Sequence, residues 1–127
     1  MLERATFVGF IPVRDLDTAR AFYCDMLDLP FVEQDSVAVV VRVGDASLRL
    51  TEVADPQPRE FTVAGWQVED VSPIVTSLAQ RGAQVKRYEG MGQDAQGIWT
   101  SPSGEQVAWF TDPDGNVLSI TSRARDR

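Results

Sequence analysis

The 127 residues carry 12 basic against 19 acidic side chains, a formal charge of −7, with one cysteine and no histidine. That balance argues against non-specific binding to nucleic acid or anionic lipid, which needs basic surface, and the missing histidine removes both the commonest neutral metal ligand and the commonest general base. No apolar run approaches the roughly 20 residues of a bilayer span, the start MLERATF has no secretory pattern, and Cys24 has no partner for an internal disulfide, so a cytoplasmic protein with no membrane contact is expected.

Residues 6–13 have few charges and are apolar on both faces, as in a buried strand. Asp15 then offers a carboxylate to the free amides of a helix start, with Asp17 in the first turn. Leu16, Ala19, Phe22, Tyr23, Met26 and Leu27 follow at three-four spacing and predict one buried helical stripe. Asp28 falls where the helix should stop in a left-handed residue, and Pro30 confirms the break. Residues 31–33 predict a short strand, and the Val-rich 36–43 and 46–53 predict two strands joined by a Gly44-Asp45 turn. A two-residue turn pairs Val43 with Ala46, Arg42 with Ser47 and Val40 with Arg49. Alternation then places Leu48 and Leu50 on the helix side and Ser47, Arg49 and Thr51 on the other.

Residues 54–59, ADPQPR, read as a connector. Residues 61–68 predict a strand with Ala64, Trp66 and Val68 on one face and Val63, Gly65 and Gln67 on the other. A second helix is capped by Asp70 or Ser72, has Pro73 in its first turn and a stripe of Val71, Ile74, Val75, Leu78 and Ala79, and ends at Gly82. Residues 83–88 predict a strand, and EGMGQDAQG over 89–97 predicts a mobile loop without phosphate-binding spacing. Residues 98–101, 105–111 and 117–121 predict the closing strands, the last two joined by the turn DPDGN. If that turn leaves Thr111 opposite Asn116, Trp109 pairs with Leu118 on the helix side while Ala108 and Phe110 join Ser119 on the other face; a one-residue bulge at Gly115 reverses this. The tail with Arg123, Arg125 and Arg127 has nothing to pack and is expected to fray.

The two halves repeat. Val13-Arg14-Asp15-Leu16 falls on Val68-Glu69-Asp70-Val71 at an offset of 55 residues, and each copy runs from an apolar strand through an acidic turn into an amphipathic helix. A β-α-β-β-β unit used twice, over about 5–53 and about 60–122, is the expected organisation, the halves together making one domain over 1–127.

A duplicated unit of this kind, with Val13-Arg14-Asp15-Leu16, Phe22-Tyr23, Leu27-Asp28-Leu29 and the closing Phe110-Thr111-Asp112-Pro113-Asp114-Gly115-Asn116, resembles the vicinal oxygen chelate superfamily. Its members include glyoxalase I, extradiol dioxygenases, fosfomycin resistance enzymes and bleomycin resistance proteins. The resemblance covers nearly the whole chain and implies an α+β fold in which two βαβββ modules form a curled mixed β-sheet cup with helices packed outside. Asp28 departs from the family, which usually has Gly there. Metal-using members place His or Glu at four symmetric positions inside the cup. Counted from the motifs, these are Val8, Val63, Arg49 and Ser119 here. Two have no donor atom, one is a fixed cation and one a weak neutral hydroxyl, so the resemblance carries the fold but not the metal. Glu52, three residues beyond Arg49, turns to the other face unless a bulge intervenes.

What remains is an apolar floor of Val8 and Val63 with polar groups set into it, which either fills a collapsed core or holds a small molecule. Arg49 favours the second, because a cation seldom faces inward without a partner or water. Of the three tryptophans, Trp99 beside the glycine-rich loop is the best candidate for a ligand wall. The expected ligand-contacting set is Val8, Phe10, Ser47, Arg49, Thr51, Val63, Gln67, Trp99, Phe110 and Ser119, with no metal and no cofactor. The resemblance to bleomycin resistance proteins implies a homodimer that sequesters a small organic molecule, and the acidic charge suits a cationic one. The alternatives are a divergent glyoxalase-like lyase or dioxygenase, a metal-free catalyst using Tyr23, Glu52 or another carboxylate, and a partner domain with no ligand.

Overall fold

The structure, a computed structural model, describes residues 1–124. It divides into two compact units, Met1–Gln57 and Pro58–Arg127, the boundary falling inside the proline-rich connector. The fraying expected of the tail concerns Arg125 and Arg127, which lie outside the described residues; Arg123 is exposed.

In the first unit the strands are β1 (Val8–Val13), β2 (Phe31–Gln34), β3 (Ala38–Val43) and β4 (Ala46–Glu52), in the sheet order β1-β4-β3-β2. β1 runs parallel to β4 and the other pairs are antiparallel. The Gly44-Asp45 turn sets the register expected of it: Val43 pairs with Ala46, Arg42 with Ser47 and Val40 with Arg49. Gly44 has φ 56°, a left-handed value open to glycine at no steric cost. Helix α1 (Leu16–Arg20) starts at Asp15, whose carboxylate accepts from the Thr18 N–H at 2.8 Å and the Thr18 hydroxyl at 2.7 Å.

α1 does not continue as one α-helical stripe. Residues Ala21–Met26 form a π-helical turn, in which the Leu27 N–H donates to the Phe22 carbonyl five residues back at 3.1 Å. The wider turn lets two consecutive rings enter the core: Phe22 and Tyr23 are 6% and 0% exposed and meet edge to face at 5.0 Å. Met26 and Leu27, expected in the stripe, are only half-buried as a result. Asp28 closes the helix at φ 61°, the left-handed conformation expected of it. The core of this unit is Ile11, Val13, Val39, Val41, Leu48 and Leu50 on one face of the sheet, with α1 packed against β3 and β4. β1 is not the strand buried on both faces that its composition suggests, because Val8 and Phe10 are 40% and 66% exposed.

The second unit has β5 (Thr62–Gln67), α2 (Val71–Gln80), β6 (Gln84–Val85), β7 (Trp99–Thr100), β8 (Gln106–Thr111) and β9 (Val117–Ser122). The order is β5-β9-β8-β6, with β7 also on β8; β5 is parallel to β9 and the rest antiparallel. β6 and β7 therefore share one edge of β8 and stand in for β2 of the first unit. The loop between them is not the loose excursion its glycines suggest. The Gln93 side chain accepts from the Tyr88 N–H at 2.6 Å and donates to the Lys86 and Gly97 carbonyls, while Gln96 bonds Ser72 and Thr76 on α2. α2 packs on β8 and β9 through Val71, Val75 and Leu78; Ile74 and Ala79, expected in its stripe, are exposed. The α+β class expected from sequence holds: the described residues form two mixed sheets with two α-helices, one packed on each.

The turn between β8 and β9 is built around Asp112, which is 5% exposed. Its carboxylate accepts from the Asp114 N–H at 2.9 Å, the Asn116 N–H at 2.9 Å and the Asn116 side-chain amide at 2.8 Å. Asp112→Ala removes the acceptor and leaves buried donors unpaired, so a loss of about 1.5 to 3 kcal/mol is expected in denaturant unfolding. An unchanged midpoint would show that the turn holds itself without the side chain.

Candidate functional site

The Asp112 turn decides which aromatic ring stands on which face. It occupies all of 112–116, so Thr111 pairs with Val117, Phe110 with Leu118 and Trp109 with Ser119. The register that pairs Trp109 with Leu118 is thereby corrected to its reverse. Phe110, expected on the Ser119 face, lies with Leu118 and Ile120 in the core at 2% exposure, 6.3 Å from the Trp66 ring. Trp109 takes its place on the face away from the core.

That open face of the second unit can be read strand by strand. β5 contributes Gly65 and Gln67, with Val63 two residues before Gly65 and 37% exposed; β9 contributes Ser119 and Thr121; β8 contributes Trp109 and Val107; β7 contributes Trp99 opposite Val107. The Lys86 N–H donates to the Trp109 carbonyl at 2.8 Å, which extends the β6 ladder and puts Lys86 and Tyr88 on the same side. The three rings form one cluster: Trp99 and Trp109 have centroids 6.5 Å apart at 36°, and Tyr88 meets Trp109 edge to face at 5.3 Å. Gly65 and Ser119 are matched, since a Cβ at 65 would collide with the Ser119 hydroxyl. The Lys86 ammonium lies 5.4 Å from the Tyr88 ring centre and 3.9 Å from the carboxylate of Glu60. The Tyr88 phenol is pushed above its usual range, first by burial and then by the Glu60 charge, and stays a neutral donor at neutral pH.

On the first unit, Val8, Phe10 and Pro12 lie in register with Ser47, Arg49 and Thr51, and next with Arg42, Val40 and Ala38. The face is open along β1 and closed over β3, where Val40 and Ala38 are 8% and 1% exposed. Arg49 is half-buried. Its charge helps to lower the Asp35 carboxyl below the ordinary range, although the larger cause is that carboxylate's bonds from the Val37 and Ala38 amides.

The structure thus sets Val8, Phe10, Ser47, Arg49 and Thr51 on one face of the first sheet, and Gln67, Trp99 and Ser119 on one face of the second, while Val63 falls in the register shift between Thr62 and Ala64. It adds Trp109, Tyr88 and Lys86. Of the side chains considered as metal-free catalysts, Tyr23 is wholly buried and cannot meet a ligand on either open face, while Glu52 is exposed. Cys24 is half-buried, and burial pushes its thiol above the ordinary range, the direction opposite to that of an activated thiolate. The four positions that the resemblance marks for a metal carry two valines, a guanidinium and a hydroxyl, and among the described residues no three His, Cys, Asp or Glu side chains stand together to hold an ion. These residues do not fit the metal of the metal-using members.

Comparison with solved structures finds the same fold repeatedly. A fosfomycin resistance protein from Listeria monocytogenes is 14% identical with a TM-score of 0.77, covering 98% of this chain and 96% of that one. A glyoxalase/bleomycin resistance protein/dioxygenase from Alicyclobacillus acidocaldarius is 19% identical with a TM-score of 0.74, covering 98% and 95%. A lactoylglutathione lyase from Agrobacterium tumefaciens is 22% identical with a TM-score of 0.72, covering 94% and 93%. Comparison with curated proteins gives no significant match. Residues 4–120 match the sequence pattern of the Glyoxalase/Bleomycin resistance protein/Dioxygenase superfamily, and with that match spanning both repeats and both sheets, the chain belongs to this family.

Proposed function

We propose that this chain is a metal-free small-molecule-binding protein of the glyoxalase/bleomycin resistance type, which sequesters a small organic ligand on the open faces of its sheets. The observation that carries the reading is the residue set at the family's metal positions, Val8, Val63, Arg49 and Ser119, which has no ligand set to replace it among the described residues. The chemistry of a chelated substrate needs an electrophile that these side chains do not supply. What they supply is an apolar surface with a few placed polar groups, the usual make-up of a binding site. Purified protein is expected to hold no stoichiometric Zn, Ni, Fe, Mn or Mg, and a chelator should leave its thermal midpoint unchanged. Metal analysis with native mass spectrometry tests this and detects any retained small molecule. One metal per chain would turn the reading to the divergent lyase or dioxygenase.

The functional form in this proposal is a cytoplasmic homodimer of single-domain chains. Phe7, Phe10 and Phe61 are 72%, 66% and 66% exposed, large apolar surface of the kind that partners usually cover. β1 and β2 also leave the first sheet with two edges. Sedimentation at micromolar concentration should give twice the 14.0 kDa chain mass. A clean monomer mass would sink the dimer but not the binding function.

A further inference from the structure

The chain as a whole is acidic, which points to a cationic ligand, yet the charge that stands against the ring cluster of the second unit is a cation. Lys86 is the only lysine in a chain of charge −7, and it stands at the edge of the ring cluster of the second unit. From this we infer that Tyr88, Trp99, Trp109 and Lys86 form a subsite for a planar aromatic anion, such as an aromatic carboxylate. The inference rests on the small-molecule-binding reading and names the ligand class for one face.

Each part of the cluster has a role that the geometry supplies. Tyr88 meets Trp109 edge-on and holds it, and the 36° between Trp109 and Trp99 leaves ring surface on the open side of the sheet. Next to the rings the strands carry Gly65, which is exposed, and Ser119, which is buried with its hydroxyl where a Cβ at 65 would fall. A planar group bound beside Trp99 and Trp109 would stack on indole. The Lys86 side chain is 30% exposed with its ammonium 5.4 Å from the Tyr88 ring centre, while its ion partner Glu60 is 94% exposed at 3.9 Å. A contact that long to so solvated a carboxylate holds little, and a ligand carboxylate can displace it. On the first unit Arg42 and Arg49 share their face with Glu33, which pairs with Val40, so that face has no single sign. A cationic ligand on the second face would instead meet the Lys86 charge.

The test uses the full chain and three probes of one shape: 2-naphthoate, 2-naphthylmethanol and 2-naphthylmethylammonium, titrated by calorimetry. Naphthoate should bind at least tenfold more tightly than the other two. Lys86→Met should bring the three within about twofold of each other, and Lys86→Arg should restore the preference. Trp99→Ala should weaken all three alike, and Glu60→Gln should tighten naphthoate alone, each variant being checked by its thermal midpoint. Equal or tighter binding of the ammonium probe, a naphthoate affinity indifferent to Lys86→Met, or no binding of any probe at millimolar concentration would each overturn the subsite. None of these touches the wider reading, which stands or falls on metal content and on any small molecule retained by the purified protein.

Discussion

Phe110→Ala is expected to destabilise the protein by about 3 to 5 kcal/mol, while Trp109→Ala, one residue earlier and removing a larger ring, should cost distinctly less. The contrast follows from the register of β8 on β9. Phe110 stands opposite Leu118 at 2% exposure, so its loss leaves a cavity beneath α2 and against Trp66. Trp109 stands opposite Ser119 with one side open, where the neighbouring Tyr88 and Trp99 can relax into the space. Denaturant unfolding at constant slope gives both values. Were Trp109→Ala the more damaging change, the Asp112 turn would have to be one residue shorter than it is, and the ring cluster would face the core.

The same turn explains why the site was only partly legible in the sequence. In the first unit the register follows from two residues, Gly44 and Asp45, which admit one tight turn, and the assignment of Leu48 and Leu50 to the core and Arg49 to the other face follows by counting. In the second unit DPDGN marks a turn without fixing its length. The length depends on a buried carboxylate that bonds the backbone two and four residues on, and this folds 112–116 into one loop. A single residue of turn length moves every β8 side chain to the other face. Phe110 was therefore misplaced and Trp109 missed, while Trp99, assigned from the loop beside it, was placed with the cluster. Lys86 and Tyr88 were hidden for a related reason: β6 is only two residues long, and the ladder reaches Lys86 through a single bond to Trp109. The π-helical turn at Ala21–Met26 has no sequence signal of its own. The adjacent pair Phe22-Tyr23 predicts two rings near one core but not the widened turn that admits both.

Leu50→Ala and Arg49→Ala should separate structure from recognition in the first unit. Leu50 is fully buried among Ile11, Val39 and the α1 side of the sheet, and its truncation should cost about 2 to 5 kcal/mol. Arg49, next in sequence and on the opposite face beside Phe10 and Val40, should change stability far less. Its replacement should instead weaken the ligand found on the purified protein by about 1 to 3 kcal/mol, the scale of a charged hydrogen bond. A second readout needs no ligand. The guanidinium helps hold the Asp35 carboxyl below its ordinary range, so Arg49→Ala should raise the Asp35 pKa, but only part of the way back, because the Val37 and Ala38 amides remain the larger cause. Asp35 is a group whose folded pKa is depressed. Its contribution to stability is complete above the unfolded pKa of about 3.9 and is lost as pH falls through the folded value. The stability difference between Arg49→Ala and the parent that runs through Asp35 should therefore vanish in acid. An NMR titration of the Asp35 carboxyl carbon unmoved by Arg49→Ala would place the guanidinium in bulk water with only its stem packed on the sheet, and the ligand role would fall with it.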